Sequence, residues 1–220
     1  MATSFAWRLV LGYVAVLTLG CNHSADRLIA QLGDGDSQQR RSAARALGSL
    51  EGDRSDAVAA LSQAVRDPDL EVRELAANSL GQLGPKSKSG LPALKQALGD
   101  AELSVRVTAA LAIQKIDATD ESYVPVLIEA LRAGNGPVFL EVRRMGADGK
   151  WAVPTLIALL SDRRVQIRAL AAHALGGIGP AARDADAALR ERLRDVDPSV
   201  QREAQNALRR IDSRDGSSGD

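Results

Sequence analysis

Apolar residues recur along this chain in columns about one repeat unit apart. Leu28, Leu61, Leu94 and Leu127 stand 33 residues from one another, Leu156 follows after 29, and Leu189 after another 33. Three more columns run alongside: Leu32, Val65, Leu98, Leu131, Leu160, Leu193; Leu47, Leu80, Ile113, Val142, Leu175, Leu208; and Leu50, Leu83, Ile116, Met145, Ile178, Ile211. A pattern four columns wide and six rows deep is the mark of an internal repeat. Within a row the spacing is helical. Val72, Ala76, Leu80 and Leu83 share one face of a helix, and Leu91, Leu94 and Leu98 line a shorter one. Between the two helices of a row lies a turn carrying Asp34, Asp67, Asp100, Asp162 or Asp195, predicted to break the chain and cap the next helix. Gly84-Pro85 and Gly179-Pro180 are stop signals after second helices. Each row therefore predicts helix A, a tight turn, helix B and a loop. Such a pair buries its apolar face only by stacking on neighbours. Each buried Leu or Val contributes about 1.5–3 kcal/mol, so the columns dominate stability. The pairs Ala43-Ala44, Ala76-Ala77, Ala109-Ala110 and Ala171-Ala172 allow close helix approach.

The rows fall at about 25–51, 54–84, 87–117, 121–146, 150–179 and 183–212, within a domain of 25–212. The segment Asp67-Pro68-Asp69-Leu70-Glu71-Val72-Arg73-Glu74-Leu75-Ala76-Ala77 resembles a HEAT repeat, of the short bacterial subtype similar to phycobilisome-lyase HEAT-like repeats. Asp100 to Ala110 and Asp162 to Ala172 follow the same pattern. The resemblance implies an all-α fold, an α-solenoid of about six HEAT-like helical hairpins in a right-handed superhelix. It also implies that the turn Asp caps helix B and that an Arg pairs with neighbouring acids in a ladder. Arg40, Arg73, Arg106 and Arg168 hold the Arg place, and Gln201 breaks it. These residues read as structural, with no exposed single rung contributing much.

The fourth row departs from the rule. Four residues are missing between its helices, Gly134-Asn135-Gly136-Pro137 replaces the Asp and Val-Arg pieces, and Val138-Phe139 replaces the Ala pair. Tyr123, Phe139 and Trp151, the only aromatics beyond the N-terminal segment, lie in or beside it. Two readings stand: filler repacked around a deletion, or an aromatic contact site.

A solenoid of this kind binds on its concave face, lined by helix B. The positions opposite the core are Arg41 and Arg45, Glu74 and Asn78, Val107 and Leu111, Leu140 and Arg143, Ala169 and His173, and Arg202 and Asn206. The middle of this ridge, Val107, Leu111 and Leu140, is apolar where solvent is expected. Either it is an interaction strip or curvature covers it. Arg41 and Arg45 could take a phosphate or carboxylate, or form a solvated face.

Composition limits the chemistry. The 220 residues carry 28 Lys plus Arg against 28 Asp plus Glu, which argues against a nucleic-acid partner. One cysteine and two histidines leave no basis for a disulfide framework or a metal centre, and no nucleophile elbow or phosphate loop occurs. No catalytic residue, metal or cofactor is expected, and the reading is a non-enzyme. At the N-terminus, Arg8 precedes the apolar run Leu9 to Leu19, and no acid occurs before Asp26. This is the layout of an export signal over 1–20, too short to span a bilayer core, which needs about 20 residues. Leu17-Thr18-Leu19-Gly20-Cys21 resembles a bacterial lipobox, although Thr18 stands where that family more often has Leu. The resemblance implies lipidation of Cys21. A free thiol behind an ordinary signal, or an uncleaved anchor, is the alternative. The tail 213–220 is expected to be disordered. Together these features predict an exported cell-envelope lipoprotein, a membrane-tethered scaffold for another protein of unknown identity. A bilin-lyase-like or other accessory enzyme subunit and a purely structural envelope component are the rivals.

Overall fold

In a computed structural model, residues 25–50 and 55–213 are described. The expected signal, lipobox and Cys21 lie outside them, as does the tail beyond Ser213. Among the described residues there is no strand, and no helix is long and apolar enough to cross a membrane. The helices form hairpins in chain order: α1 (25–32) with α2 (Ser37–Leu47), α3 (Ser55–Ala64) with α4 (Leu70–Leu83), α5 (Leu91–Ala97) with α6 (Leu103–Ile116), α7 (Val124–Ala133) with α8 (Gly136–Met145), α9 (Val153–Leu159) with α10 (Val165–Ile178), and α11 (Asp186–Arg192) with α12 (Pro198–Asp212). The fold is thus an all-α array of HEAT-like hairpins. The chain divides into two compact units, one ending at Tyr123 and the other starting at Val124.

In each unit the apolar columns form the core. Leu61, Leu94, Leu47, Leu80 and Ile113 in the first unit, and Leu127, Leu156, Leu189, Val142 and Leu175 in the second, have no exposed surface. All four Ala pairs are fully buried. The B helices stack on one another, α2 on α4 on α6 and α8 on α10 on α12, with α3, α5, α7, α9 and α11 each packed on its own B helix. Columns fade at the edges. Leu28 and Leu32 on α1 are only half-buried, and Leu193 is 40% exposed. Gly84, Gly146 and Gly179 end α4, α8 and α10 at φ of 59°, 56° and 69°, a region that favours glycine.

The A–B turns revise one expectation. The turn aspartates do not cap helix B. Asp34, Asp67, Asp100, Asp162 and Asp195 each accept a hydrogen bond from the backbone N–H two residues on, at 2.8–3.0 Å. In three hairpins that second residue is the cap, whereas Glu102 and Arg164, in the same place, make no side-chain cap hydrogen bond. Asp36 accepts from Gln38 N, Asp69 from Val72 N and Asp197 from Ser199 N. The first Asp shapes the turn and is left free to receive an arginine.

That arginine comes from the preceding repeat. Arg40 Nε lies 2.8 Å from Asp67, Arg73 Nε 2.9 Å from Asp100 and Arg168 Nη2 2.8 Å from Asp195. Each also donates through Nη1 to a carbonyl of its own turn, at 2.9–3.0 Å. Gln201 keeps only this second contact, to Asp195 O. The rungs are not exposed, as expected from the sequence, but shielded: the Arg168 and Asp195 side chains are 10% and 4% exposed.

In the fourth hairpin α7 stops at Gly134 (φ 83°), and Asn135 caps the shortened α8 through Val138 N. No arginine of α8 can reach Asp162, because Asn135 stands where the other hairpins carry the ladder Arg. Arg164 fills the gap from the other side. Its Nε and Nη2 each lie 2.9 Å from Asp162, and Nη1 and Nη2 reach back to Ala133 O and Arg132 O at 3.4 and 3.5 Å. Val138 and Phe139 are 0% and 1% exposed, so the larger side chains fill the volume that a shorter helix leaves.

Candidate functional site

The expected ridge is set by helix B in each unit. In the first, Arg45 is exposed, and Glu74, Asn78 and Leu111 are half-buried. Arg41 is not available to a ligand anion. Its Nη2 lies 2.6 Å from Asp69 and its Nη1 2.6 Å from Glu71, which ties α2 to α4. The guanidinium holds the Asp69 carboxyl down at about 2. Val107 departs from the expected apolar strip, since only 7% of it is exposed. Buried positions on α6, from Val105 through Ala110 to Ile116, occupy well over half of the helix circumference, and the short branched side chain of Val107 stays within that covered arc.

In the second unit Leu140 stands out at 47% exposed on α8. Arg143 lays its stem across α10, in the space opened by Gly177. A Cβ at Gly177 would stand 2.2 Å from Arg143 Cγ. His173 on α10 has Nδ1 2.8 Å from Glu203 Oε2 on α12, linking the two helices. Arg202 and Asn206 are exposed, and Asn206 Oδ1 accepts from Arg209 at 2.8 Å. Of the two readings of the aromatics, filler describes Tyr123 and Phe139, core side chains that are 4% and 1% exposed, while Trp151 is half-buried.

Two notches lie between consecutive B helices, one in each unit. The first is bounded by Asn78, Gly81, Thr108, Leu111, Ala112 and Lys115 and has a volume of about 100 Å³, open to solvent. The second is bounded by His173, Gly176, Glu203, Asn206, Ala207 and Arg210 and has a volume of about 70 Å³, likewise open. Their floors are close helix contacts. A Cβ added to Gly81 would sit 3.0 Å from Ala112 Cα, and one on Gly176 2.9 Å from Ala207 Cα. Asn78, Leu111, His173 and Asn206 were legible as ridge positions. Gly81, Thr108, Ala112, Lys115, Gly176, Glu203, Ala207 and Arg210 were not singled out. The signal for the floor was a small-residue column beside the core: Gly48, Gly81 and Gly176, each facing Ser79, Ala112 or Ala207 of the following hairpin. Between α2 and α4 the same space is taken by Ser79 and Gln82.

Among the described residues, no group of three or more His, Cys, Asp or Glu side chains is placed to hold a metal. No curated protein matches the sequence. Among solved structures, an engineered protein is similar at 24% identity, over 86% of this chain and 96% of that one, with a TM-score of 0.57. The complex of CpcE and CpcF of phycocyanin lyase from Nostoc sp. PCC7120 is similar at 24% identity, over 85% of this chain and 76% of that one, with a TM-score of 0.54. A designed armadillo repeat protein in complex with the peptide (KR)4 is similar at 19% identity, over 84% and 98%, with a TM-score of 0.53. These likenesses concern the fold. The family model for HEAT repeats matches residues 25–89 and 153–217, more than half of the sequence, and the chain belongs to the HEAT-repeat family.

Proposed function

We propose that this chain is a non-enzymatic interaction scaffold, tethered to a membrane of the cell envelope through a lipid on Cys21, that holds another protein on its helix-B faces. The observation that carries the reading is the division of labour within each hairpin. Most positions of the apolar columns are spent on the core, while the B helices keep exposed contact groups, foremost Leu140 on α8 at 47% exposed. The fold is also one that captures protein segments elsewhere: a designed armadillo repeat protein holds the peptide (KR)4, and CpcE and CpcF form a complex. The likeness to the CpcE–CpcF complex keeps an accessory-enzyme role as the rival. Visible absorbance of a bound chromophore in the purified protein would favour that rival.

The test combines two variants of the full chain. Cys21→Ser should release the protein from membranes into the soluble fraction. Leu140→Glu should abolish recovery of the cross-linked partner while thermal unfolding stays unchanged. Membrane retention of Cys21→Ser would contradict the tether, and undiminished partner recovery by Leu140→Glu would contradict the binding face.

A further inference from the structure

We propose that the notch between α10 and α12, and its counterpart between α4 and α6, each receive a carboxylate side chain from an acidic segment of the partner protein. This deepens the scaffold reading and rests on it. The two notches occupy the same register in their units. Each has a glycine–alanine floor, an asparagine on one wall and a cation two residues beyond the core position of the second helix: Lys115 after Ile113, Arg210 after Leu208. What they offer is donors. In the first notch no lining residue is acidic. In the second, the one acid, Glu203, lies against His173. Asn206 Oδ1 is engaged by Arg209, so its amide N–H groups are what remain for a ligand.

At the notches themselves cations outnumber acids: Lys115 lines the first and Arg210 the second, and the one lining acid, Glu203, is held by His173. The ladder aspartates are consumed at the A–B turns by Arg40, Arg73 and Arg168. On the B helices Lys115, Arg202 and Arg210 have no acid partner among the described residues, and Arg202 and Arg210 extend the cationic rim of the second notch along α12. A cation at the end of a recess with a neutral amide beside it suits a carboxylate, accepted by charge-assisted hydrogen bonds. The recesses are the size of single side chains rather than of a groove that tracks a continuous phosphate backbone, which favours an acidic polypeptide over a nucleic acid.

The experiment uses fluorescence anisotropy on the full chain with three labelled probes: octaglutamate, octalysine and an eight-nucleotide oligothymidine. Saturable binding of octaglutamate alone is expected, weakening as salt rises. Lys115→Glu and Arg210→Glu should each weaken it by about tenfold, with the milder Arg210→Gln in between, at unchanged circular dichroism. No saturable octaglutamate binding, indifference to both reversals, or oligothymidine binding as tightly as octaglutamate would overturn the proposal. The scaffold reading is separable: a partner lost with Leu140→Glu but retained by both reversals leaves that reading standing and removes the acidic segment.

Discussion

Arg40, Arg73 and Arg168 each sit in the first turn of a B helix, where one guanidinium satisfies a carbonyl of its own turn and the carboxylate of the next. Shielding makes that geometry consequential, because removing one partner strands the other in a poorly hydrated place. At Asp162 the rung comes from Arg164, whose guanidinium and backbone N–H hold the carboxyl down at about 2. Arg41 does the same for Asp69, also to about 2, and Arg168 lowers Asp195. A carboxyl bound more strongly when ionised in the folded chain adds stability above its unfolded value of about 3.9. That contribution fades as pH falls from about 4 towards 2. The unfolding temperature should therefore be flat from about pH 7 to 5 and drop steeply below about 4. In Arg164→Gln the acid transition should move to higher pH. Thermal scans across pH check both, and an acid transition unmoved in Arg164→Gln would show that Asp162 has another partner.

At the scale of helices, the decisive contacts are those where a missing side chain lets two backbones meet. Gly176→Ala tests this against propensity. Alanine favours a helix interior by about 1 kcal/mol over glycine. Its Cβ would stand 2.9 Å from Ala207 Cα, and overpacking of that kind costs about 1–3 kcal/mol. The net expectation is a destabilised protein, with a melting temperature lower by about 2–4 °C per kcal/mol. A higher melting temperature would mean that α10 and α12 yield easily. Much of this level was written in the chain. The columns through Leu47, Leu80, Ile113 and Leu175 fixed which faces turn inward, because a side chain's period along a helix decides which way it points. The turn aspartates were recognisable as turn residues, yet their cap role was misplaced by two positions, since Asp67 and Asp69 look alike until the backbone direction between them is known. Arg164 was illegible as a rung. It replaces its lost counterpart from the opposite side of the contact, so no repeat period marks it. The notches needed two hairpins facing each other before Gly176 and Ala207 became one floor. Phe139 shows the converse: composition flagged it, and burial made it core.

On the scale of the molecule, two units repeat one scheme. Aliphatic columns hold A helices to B helices, a shielded arginine ladder ties successive turns, and the B helices retain exposed groups that neither task uses. Leu140 on α8 is such a group, whereas Asp56 on α3 and Arg190 on α11 are exposed positions of A helices. The most direct measurement is site-specific photo-cross-linking in membranes containing the full chain, with a benzoylphenylalanine placed in turn at Leu140, Asp56 and Arg190. The expected result is one discrete protein adduct from Leu140 and none from Asp56 or Arg190. Adducts from Asp56 or Arg190 with none from Leu140 would contradict a binding face built on the B helices.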